Sequence, residues 1–309
     1  RKYRNPDQSL SGVGVTDLDW TWDALVDPDD IVQRLAGVSY LADEALATAI
    51  WLALRLDKPL LVEGVPGVGK TEVAKALAEV LGRRLIRLQC FEGIDSGQAL
   101  YDWDYGRQLL AVRRQEVTGE STEIYGEDFL VERPLLSALR DPDGVVLLID
   151  EVDRSDEEFE AFLLEFLAEF QVSIPEYGTV TARSTPVVVL TSNRTRELHD
   201  ALKRRTLYHW IGYPSPVREQ QIIAVRAPEV ADEASASVVA AVNNVRAEAV
   251  VKPPGVAESI DWARGATMLS GLGASWPEAL RRSLGLLLKD DGDLAVIDEV
   301  LDEFIGIAG

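Results

Sequence analysis

The spacing of apolar residues along the chain predicts short strands and amphipathic helices in succession. Four short segments have the composition of strands: 60–63, 84–90, 144–149 and 186–190. After Gly144 and Pro186, the last two are unbroken runs of Val, Leu and Ile, which are typical of strands buried on both faces of a parallel sheet. Spacings of three and four predict helices around them: 43–56, 72–81 and 156–170. The pattern indicates an α/β domain with a parallel sheet.

The last third of the chain loses the strand pattern. The two prolines of Tyr213-Pro214-Ser215-Pro216 end it, and only helical spacing follows. Helices are predicted over five segments: 217–227, 232–249, 256–270, 277–288 and 293–305. We therefore predict a tail that ends in a packing segment (1–30), an α/β domain (31–213) and a small all-α lid domain (214–309).

Two regions are predicted to lie outside the sheet. Residues 171–182 alternate on both sides of a glycine-containing turn and predict a hairpin that can touch another protein. Residues 91–110 carry alternating aromatic and acidic side chains at 101–105, which suits either a partner-facing loop or a well-packed connection. Residues 114–128 are polar and predict a surface excursion.

One glycine-rich octet lies between a predicted strand and a predicted helix. It consists of Gly64, Val65, Pro66, Gly67, Val68, Gly69, Lys70 and Thr71. In Gly-x-x-x-x-Gly-Lys-Thr the backbone curls around phosphates, Lys70 reaches the β- and γ-phosphates, and the Thr71 hydroxyl is a ligand of Mg²⁺. The helix that follows adds its dipole and free N–H groups. A turn that only joins strand to helix is the alternative, but the context favours binding of ATP with Mg²⁺.

Polar residues follow two of the predicted buried strands. Ligands of open α/β sheets bind at the carboxyl ends of the strands, where Asp150, Glu151 and Asn193 occur. Asp150 is predicted to hold Mg²⁺ and Glu151 to polarise the attacking water. Asn193 can bond this water or the γ-phosphate, or it can cap the next element. Upstream, Tyr40 and Leu41 either flank an adenine ring or belong to the core.

Three arginines are candidates for contact with phosphate. Arg204 and Arg205 end a basic run, which suits either a surface salt bridge or an arginine that reaches the triphosphate of a neighbouring subunit. Arg264 lies in the third predicted lid helix and is our candidate for a lid cation.

Composition narrows the possible partners and compartments. Thirty-one basic and fifty-two acidic residues give a formal charge of −21, which disfavours nucleic acid and anionic membranes as partners. Cys90 is the single cysteine and there are two histidines, so a disulfide framework and a zinc cluster are excluded. There is no apolar run of about eighteen residues and no signal-peptide pattern at the observed start, and we expect a cytoplasmic protein without stable membrane insertion.

The ordered motifs resemble those of the AAA+ ATPases, which are P-loop NTPases with an αβα sandwich and a helical lid. Several segments resemble the MoxR branch in more detail, and within it the CoxD-like proteins. These segments are Gln89–Gly93, Tyr101–Tyr105, the helix and hairpin at 156–182, Leu202–Arg205 and Gly212–Pro214.

The resemblance implies a role for each candidate residue. Lys70 and Thr71 would bind phosphate and Mg²⁺, and Asp150 and Glu151 would form the Walker-B pair. Asn193 would be sensor 1. By the same resemblance Arg204 or Arg205 would be the arginine finger, and Arg264 sensor 2. The resemblance also implies hexameric rings, a von Willebrand factor A-domain partner and, for CoxD-like proteins, maturation of the metal centre of molybdenum-containing carbon monoxide dehydrogenase.

We therefore predict a Mg²⁺-dependent ATPase that remodels or activates a client protein, with a metalloenzyme as the expected client. One alternative is a nucleotide-gated scaffold that binds ATP and recruits partners with little turnover. Another is a nucleic-acid motor, which the charge of −21 disfavours.

Overall fold

A five-stranded parallel sheet forms the centre of the α/β domain. The computed structural model describes residues 25–118, 123–175 and 177–305. The strands of the sheet are β1 (Leu60–Gly64), β2 (Arg84–Gln89), β5 (Val145–Asp150), β8 (Val187–Ser192) and β9 (Leu207–Ile211), in the spatial order β2-β5-β8-β1-β9. The order brings the carboxyl ends of β1, β5 and β8 side by side, and these are the ends that carry the glycine loop and the predicted polar residues.

Helices cover both faces of this sheet. Those of the α/β domain are α1 (Pro28–Gly37), α2 (Glu44–Arg55), α3 (Lys70–Val80), α4 (Ser96–Ala99), α5 (Tyr105–Thr118), α6 (Pro134–Arg140), α7 (Glu157–Glu169) and α8 (Asp200–Arg205). One apolar core includes Leu147 of β5 and Phe166 of α7, and the opposite core includes Leu148 of β5 and Leu77 of α3. Successive residues of β5 thus point into different cores. This is why its sequence is an unbroken apolar run.

Helices are the only regular elements of the lid in the residues that the structure describes. It contains α9 (Pro216–Arg226), α10 (Asp232–Ala247), α11 (Val256–Gly271), α12 (Trp276–Arg282), α13 (Leu284–Leu287) and α14 (Asp291–Phe304) around a core that includes the fully buried Trp262. This helical region and the parallel sheet confirm the predicted architecture. None of the helices in the described ranges is long and apolar enough to cross a membrane.

The edge strand β9 was not predicted from the sequence. It pairs in parallel with β1 from Leu207 to Ile211. Tyr208 and Trp210 are exposed, whereas Leu207 and Ile211 pack against the core, so only one face of the strand is buried. A short strand with two exposed aromatic side chains has no continuous apolar run that would reveal it.

The predicted helix 277–288 is two helices in the structure, and the prediction of one is wrong. α12 ends at Arg282 and α13 begins at Leu284. Between them, the Ser283 hydroxyl donates a hydrogen bond to Ala279 O at 2.7 Å. Such a bond to the preceding turn competes with the backbone ladder and bends a helix, which explains the break in an otherwise regular apolar pattern.

The region from 91 to 132 is more regular than predicted. The aromatic and acidic run forms β3 (Tyr101–Trp103), which pairs antiparallel with β4 (Leu130–Glu132), and α5 extends to Thr118. Asp104 precedes α5 and its carboxylate accepts the backbone N–H of Arg107 at 2.9 Å. The polar surface excursion predicted over 114–128 thus begins with the end of a helix that Asp104 caps and that was not predicted. Residues 119–122 lie outside the described residues.

The predicted hairpin is present. β6 (Gln171–Ile174) pairs antiparallel with β7 (Gly178–Thr181), and residue 176 in its turn lies outside the described residues. Residues 1–24, most of the predicted tail, also lie outside them.

A buried ion pair lies where the lid meets the α/β domain. Arg246 of α10 donates to both carboxylate oxygens of Glu219 of α9, at 2.7 and 2.9 Å, and to Pro254 O at 2.8 Å. The ring of Tyr213 lies 4.3 Å from its guanidinium carbon. Both charged side chains are almost inaccessible to water. Each charge therefore depends on the other for solvation.

Replacement of Arg246 by methionine is expected to lower the free energy of unfolding by about 3–5 kcal/mol, because it leaves the Glu219 carboxylate buried without its partner. Urea denaturation of both proteins measures the difference. The control is Arg282→Ala, which removes an exposed lid arginine 3.5 Å from Glu278 and is expected to cost less than about 0.5 kcal/mol. Equal losses in the two variants would contradict the assignment. Adding Glu219→Leu to Arg246→Met is expected to recover stability.

Candidate active site

A cavity of about 430 Å³ lies between the carboxyl edge of the sheet and the lid. Its wall brings together parts of the chain that are far apart in sequence. It is lined by the glycine loop from Pro66 to Thr71, by Asp150, Glu151, Thr191 and Asn193 at strand ends, by Ser39, Tyr40 and Leu41 before α2, and by Glu72, Ile222, Arg226, Val256, Ala257 and Ile260.

The glycine loop is curled around the side chain of Lys70. Its ammonium group donates to Gly64 O at 2.9 Å and to Val65 O at 2.8 Å, and the residue is 7 % exposed. These carbonyl oxygens take the hydrogen bonds that phosphate oxygens would accept. Gly67 and Gly69 have φ of 75° and 90°, values that favour glycine. Burial lowers the pKa of Lys70, and nearby carboxylates oppose this shift.

Thr71 and Asp150 meet although they are far apart in sequence. The Thr71 hydroxyl donates to Asp150 Oδ1 at 3.1 Å. The same oxygen accepts the Thr191 hydroxyl, and Arg87 Nε donates to Oδ2 at 3.0 Å. A hydroxyl beside a carboxylate at the cavity wall is the oxygen pair that Mg²⁺ uses together with phosphate oxygens. Among the described residues, no group of three or more His, Cys, Asp or Glu side chains could hold a metal. The Thr71 hydroxyl and the Asp150 carboxylate fit a Mg²⁺ ion that is shared with a nucleotide.

Glu151 has a strained backbone at the cavity wall. Its φ of 54° is in the left-handed region, and its N–H donates to the Thr191 hydroxyl at 2.9 Å. The carboxylate accepts Gln89 Nε2 at 3.1 Å and Arg154 Nη1 at 3.2 Å. Backbone strain of this kind persists where the surroundings hold it, and it is common at functional sites. The partners fix where the Glu151 carboxylate points.

Asn193 follows β8 and its loop is held by a buried acid. Asp153 accepts the backbone N–H of Asn193 at 3.2 Å, the N–H of Thr195 at 2.8 Å and the Thr195 hydroxyl at 2.7 Å. Asn193 lines the cavity. Asp153, Thr191 and Gln89 were not predicted as site residues. Gln89 and Thr191 nevertheless lie at the carboxyl ends of predicted strands, and Asp153 follows another within a few residues.

The three predicted arginines are all outside the cavity wall. Arg204 and Arg205 are exposed on α8. Arg205 donates to Leu164 O at 2.6 Å, whereas the side chain of Arg204 has no hydrogen bond or ion pair with any described residue. Arg264 pairs with Glu229 at 2.8 Å and donates to Arg226 O. Both partners lie away from the glycine loop in sequence, and they occupy the guanidinium of Arg264 in this structure. The predicted contact of Arg264 with phosphate stays a prediction. Arg226 lines the cavity and was missed.

Part of the cavity wall is apolar. Tyr40, Leu41, Ile222, Val256 and Ile260 form it, which suits a flat base such as adenine. Tyr40 and Leu41 both line the cavity, and Tyr40 also packs against the core, so both alternatives for these residues stay open.

Cys90 follows β2 directly and is buried. Burial, reinforced by the charge of Asp150, raises the pKa of its thiol to about 12. The thiol is therefore uncharged at neutral pH and unsuited to nucleophilic or metal chemistry.

Comparison with known proteins agrees with this geometry. Residues 59–206 match the model of the AAA domain, dynein-related subfamily. Midasin of Giardia intestinalis is 43% identical over 76 residues, which are 22% of this chain and 2% of midasin. The chaperone MoxR1 of Mycobacterium tuberculosis is 27% identical over 171 residues, which are 53% of this chain and 39% of MoxR1. The chain thus covers well under two thirds of either curated relative.

Solved structures of RuvB from Thermotoga maritima are also similar. The RuvB Holliday junction branch migration motor has a TM-score of 0.48 at 16% identity, over 91% of this chain and 78% of that chain. The P216G variant of RuvB has a TM-score of 0.49 at 16% identity, over 93% of this chain and 81% of that chain. Similarities this weak say nothing about function. The domain match and the site geometry support ATP hydrolysis: residues 59–206 match an AAA domain, and the sequence is similar to that of a MoxR chaperone.

Proposed function

We propose that this chain is a Mg²⁺-dependent ATPase that works in a ring and couples ATP hydrolysis to the remodelling of a client protein. The observation that carries the proposal is that one cavity is lined by Lys70, Thr71, Asp150, Glu151 and Asn193. At its wall the Thr71 hydroxyl lies 3.1 Å from Asp150 Oδ1. Phosphoryl transfer depends mainly on positioning and electrostatics, and this cavity supplies both.

Each of these residues has a distinct task in the proposal. Lys70 exchanges its bonds to Gly64 O and Val65 O for phosphate oxygens. Thr71 and Asp150 would hold a Mg²⁺ ion, which would neutralise negative charge on the phosphates of the nucleotide. Glu151 accepts a proton from the attacking water, and Asn193 orients this water or the γ-phosphate.

The ring is inferred from the exposed arginine of α8. Arg204 has no partner in the described residues and is absent from the cavity wall. A neighbouring subunit that presents Arg204 or Arg205 to this cavity would complete the site between subunits. This is the arrangement of an arginine finger supplied in trans. We propose a hexamer, on the resemblance to MoxR proteins.

The client is proposed on sequence resemblance. MoxR1 is named a chaperone, and the CoxD-like motifs favour a metalloenzyme client such as a molybdenum-containing carbon monoxide dehydrogenase, with a von Willebrand factor A-domain partner. Any metal handling by this chain would be indirect, because soft ligands are nearly absent from its sequence. A cytoplasmic location suits its free thiol.

The test is the ATPase rate per subunit as a function of protein concentration, with the mass of the assembly measured in parallel with and without ATP. We expect the rate per subunit to rise as rings form, because the site is completed between subunits. Lys70→Ala is the control for contaminating ATPases. A measurable rate that stays constant in a monomer would overturn the ring. Binding of ATP without turnover at any concentration would favour the nucleotide-gated scaffold.

A further inference from the structure

Arg226 is the only arginine among the described residues that line the cavity. It is the last residue of α9, and Lys70 is the only other basic residue on the same wall. The wall also carries the carboxylates of Asp150 and Glu151. A bound triphosphate adds several negative charges to these carboxylates, more than Lys70 and a shared Mg²⁺ ion together offset.

The present partner of Arg226 is a weak one. Its guanidinium lies 3.3 Å from Glu72, the residue after Thr71 in α3. Both side chains are partly exposed, and Glu72 already pairs with Lys75 at 2.6 Å. Exposed pairs of this kind contribute little to stability, so Arg226 can exchange Glu72 for a phosphate oxygen at little cost.

The backbone of Arg226 is held by the arginine that was predicted for this role. Arg264 of α11 donates to Arg226 O and pairs with Glu229. Its guanidinium therefore anchors the end of α9 and is directed away from the cavity wall. At the start of the same helix, the N–H of Ala257 donates to Gly67 O at 3.1 Å, so α11 also contacts the glycine loop directly.

We propose that Arg226 binds the terminal phosphate of ATP, and that Glu72 holds its guanidinium when this phosphate is absent. Arg264 is then a positioning residue that acts through the α9 backbone. The contact pulls the lid onto the triphosphate, because Arg226 belongs to the lid and Glu72 to the α/β domain. Loss of the terminal phosphate returns Arg226 to Glu72.

The experiment compares nucleotide affinity in single variants by calorimetry, with β,γ-imido-ATP and ADP as the probes. Arg226→Ala and Arg226→Gln are expected to lower the affinity for β,γ-imido-ATP by about 10- to 100-fold, which is the range for loss of a hydrogen bond to a charged group. ADP affinity is expected to change much less. Arg226→Lys should restore part of the loss. Arg282→Ala, which removes an exposed arginine elsewhere on the lid, should match the wild type.

Glu72→Gln separates this role from a merely structural ion pair. If Glu72 competes with phosphate for Arg226, this variant binds β,γ-imido-ATP more tightly than the wild type, and the gain disappears when Arg226→Gln is added. A loss of affinity in Glu72→Gln equal to that in Arg226→Ala would overturn the proposal, since it would show that the pair only supports the lid. Equal losses for ADP and β,γ-imido-ATP in Arg226→Gln would also overturn it.

This inference rests on the ATP binding proposed above, and the two can fail separately. A wild-type chain that binds neither nucleotide overturns both. A wild-type chain that binds both, with affinities unchanged in Arg226→Gln, overturns only the role of Arg226. A larger loss in Arg264→Ala than in Arg226→Gln would assign the phosphate contact to Arg264 instead.

Discussion

Replacement of Glu151 by glutamine is expected to leave ATP bound and to slow hydrolysis by about 100- to 10,000-fold, the usual contribution of a general base. Glutamine keeps the size of the side chain and can occupy the same strained backbone conformation, but it cannot accept the proton of the attacking water. Nucleotide binding depends on the glycine loop and Lys70, which the change does not touch. Phosphate release under single-turnover conditions and ATP affinity by calorimetry measure the two effects separately.

The matched control is Glu158→Gln, the same chemical change in the first turn of α7. The side chain of Glu158 is exposed and makes no hydrogen bond with the described residues, so the hydrolysis rate of this variant is expected to equal that of the wild type. Hydrolysis at full rate by Glu151→Gln would contradict the role of Glu151. If binding and hydrolysis were lost together, Glu151 would instead be needed to form the nucleotide site.

Local sequence pattern predicts the site residues that lie within a few positions of a strand end. The glycine loop and Lys70 follow β1 within a few residues, and Asp150 and Glu151 follow an apolar run that only a doubly covered strand requires. Carboxyl ends of parallel strands meet at one edge of the sheet, so Asn193 could also be placed there without coordinates. The structure brings all of them to one cavity.

The missed residues act through contacts between distant parts of the chain. Gln89 and Glu151 are 62 positions apart, and Arg226 and Glu72 are 154 positions apart. Nothing in the local sequence distinguishes Arg226 from other lid arginines, because the role proposed for it depends on how α9 is seated against α3. Periodicity favoured Arg264, which lies mid-helix, but the fold directs its guanidinium to the end of α9 instead.

The predicted boundaries of helices were wrong where hydrogen bonds of one side chain, and not apolar periodicity, determine the backbone conformation. Asp104 caps α5 in a stretch that otherwise has the polarity of a loop. Ser283 separates α12 from α13 in a stretch whose apolar spacing is continuous. Both are short polar residues that compete for backbone hydrogen bonds, an effect that apolar spacing does not register.

The second large effect concerns Arg204. Arg204→Ala is expected to reduce ATP hydrolysis by about 1,000- to 100,000-fold, the range measured for arginine fingers. The reason is structural: Arg204 is exposed, unpartnered in the described residues and outside the cavity wall, so in one chain it has no visible task. Arg205→Ala serves as the companion variant. Since Arg205 already donates to Leu164 O, it is expected to lose less activity.

Mixing subunits shows whether Arg204 acts across an interface. A ring of Arg204→Ala subunits has intact glycine loops without fingers, and a ring of Lys70→Ala subunits has fingers without working loops. In an equal mixture, about a quarter of the interfaces join an intact loop to an intact finger, and these should restore phosphate release. Adding Arg204→Ala to the Lys70→Ala subunit removes every complete interface and should abolish the rescue. Rescue that survives this double variant, or no rescue in the first mixture, would mean that Arg204 acts within its own chain or not at all.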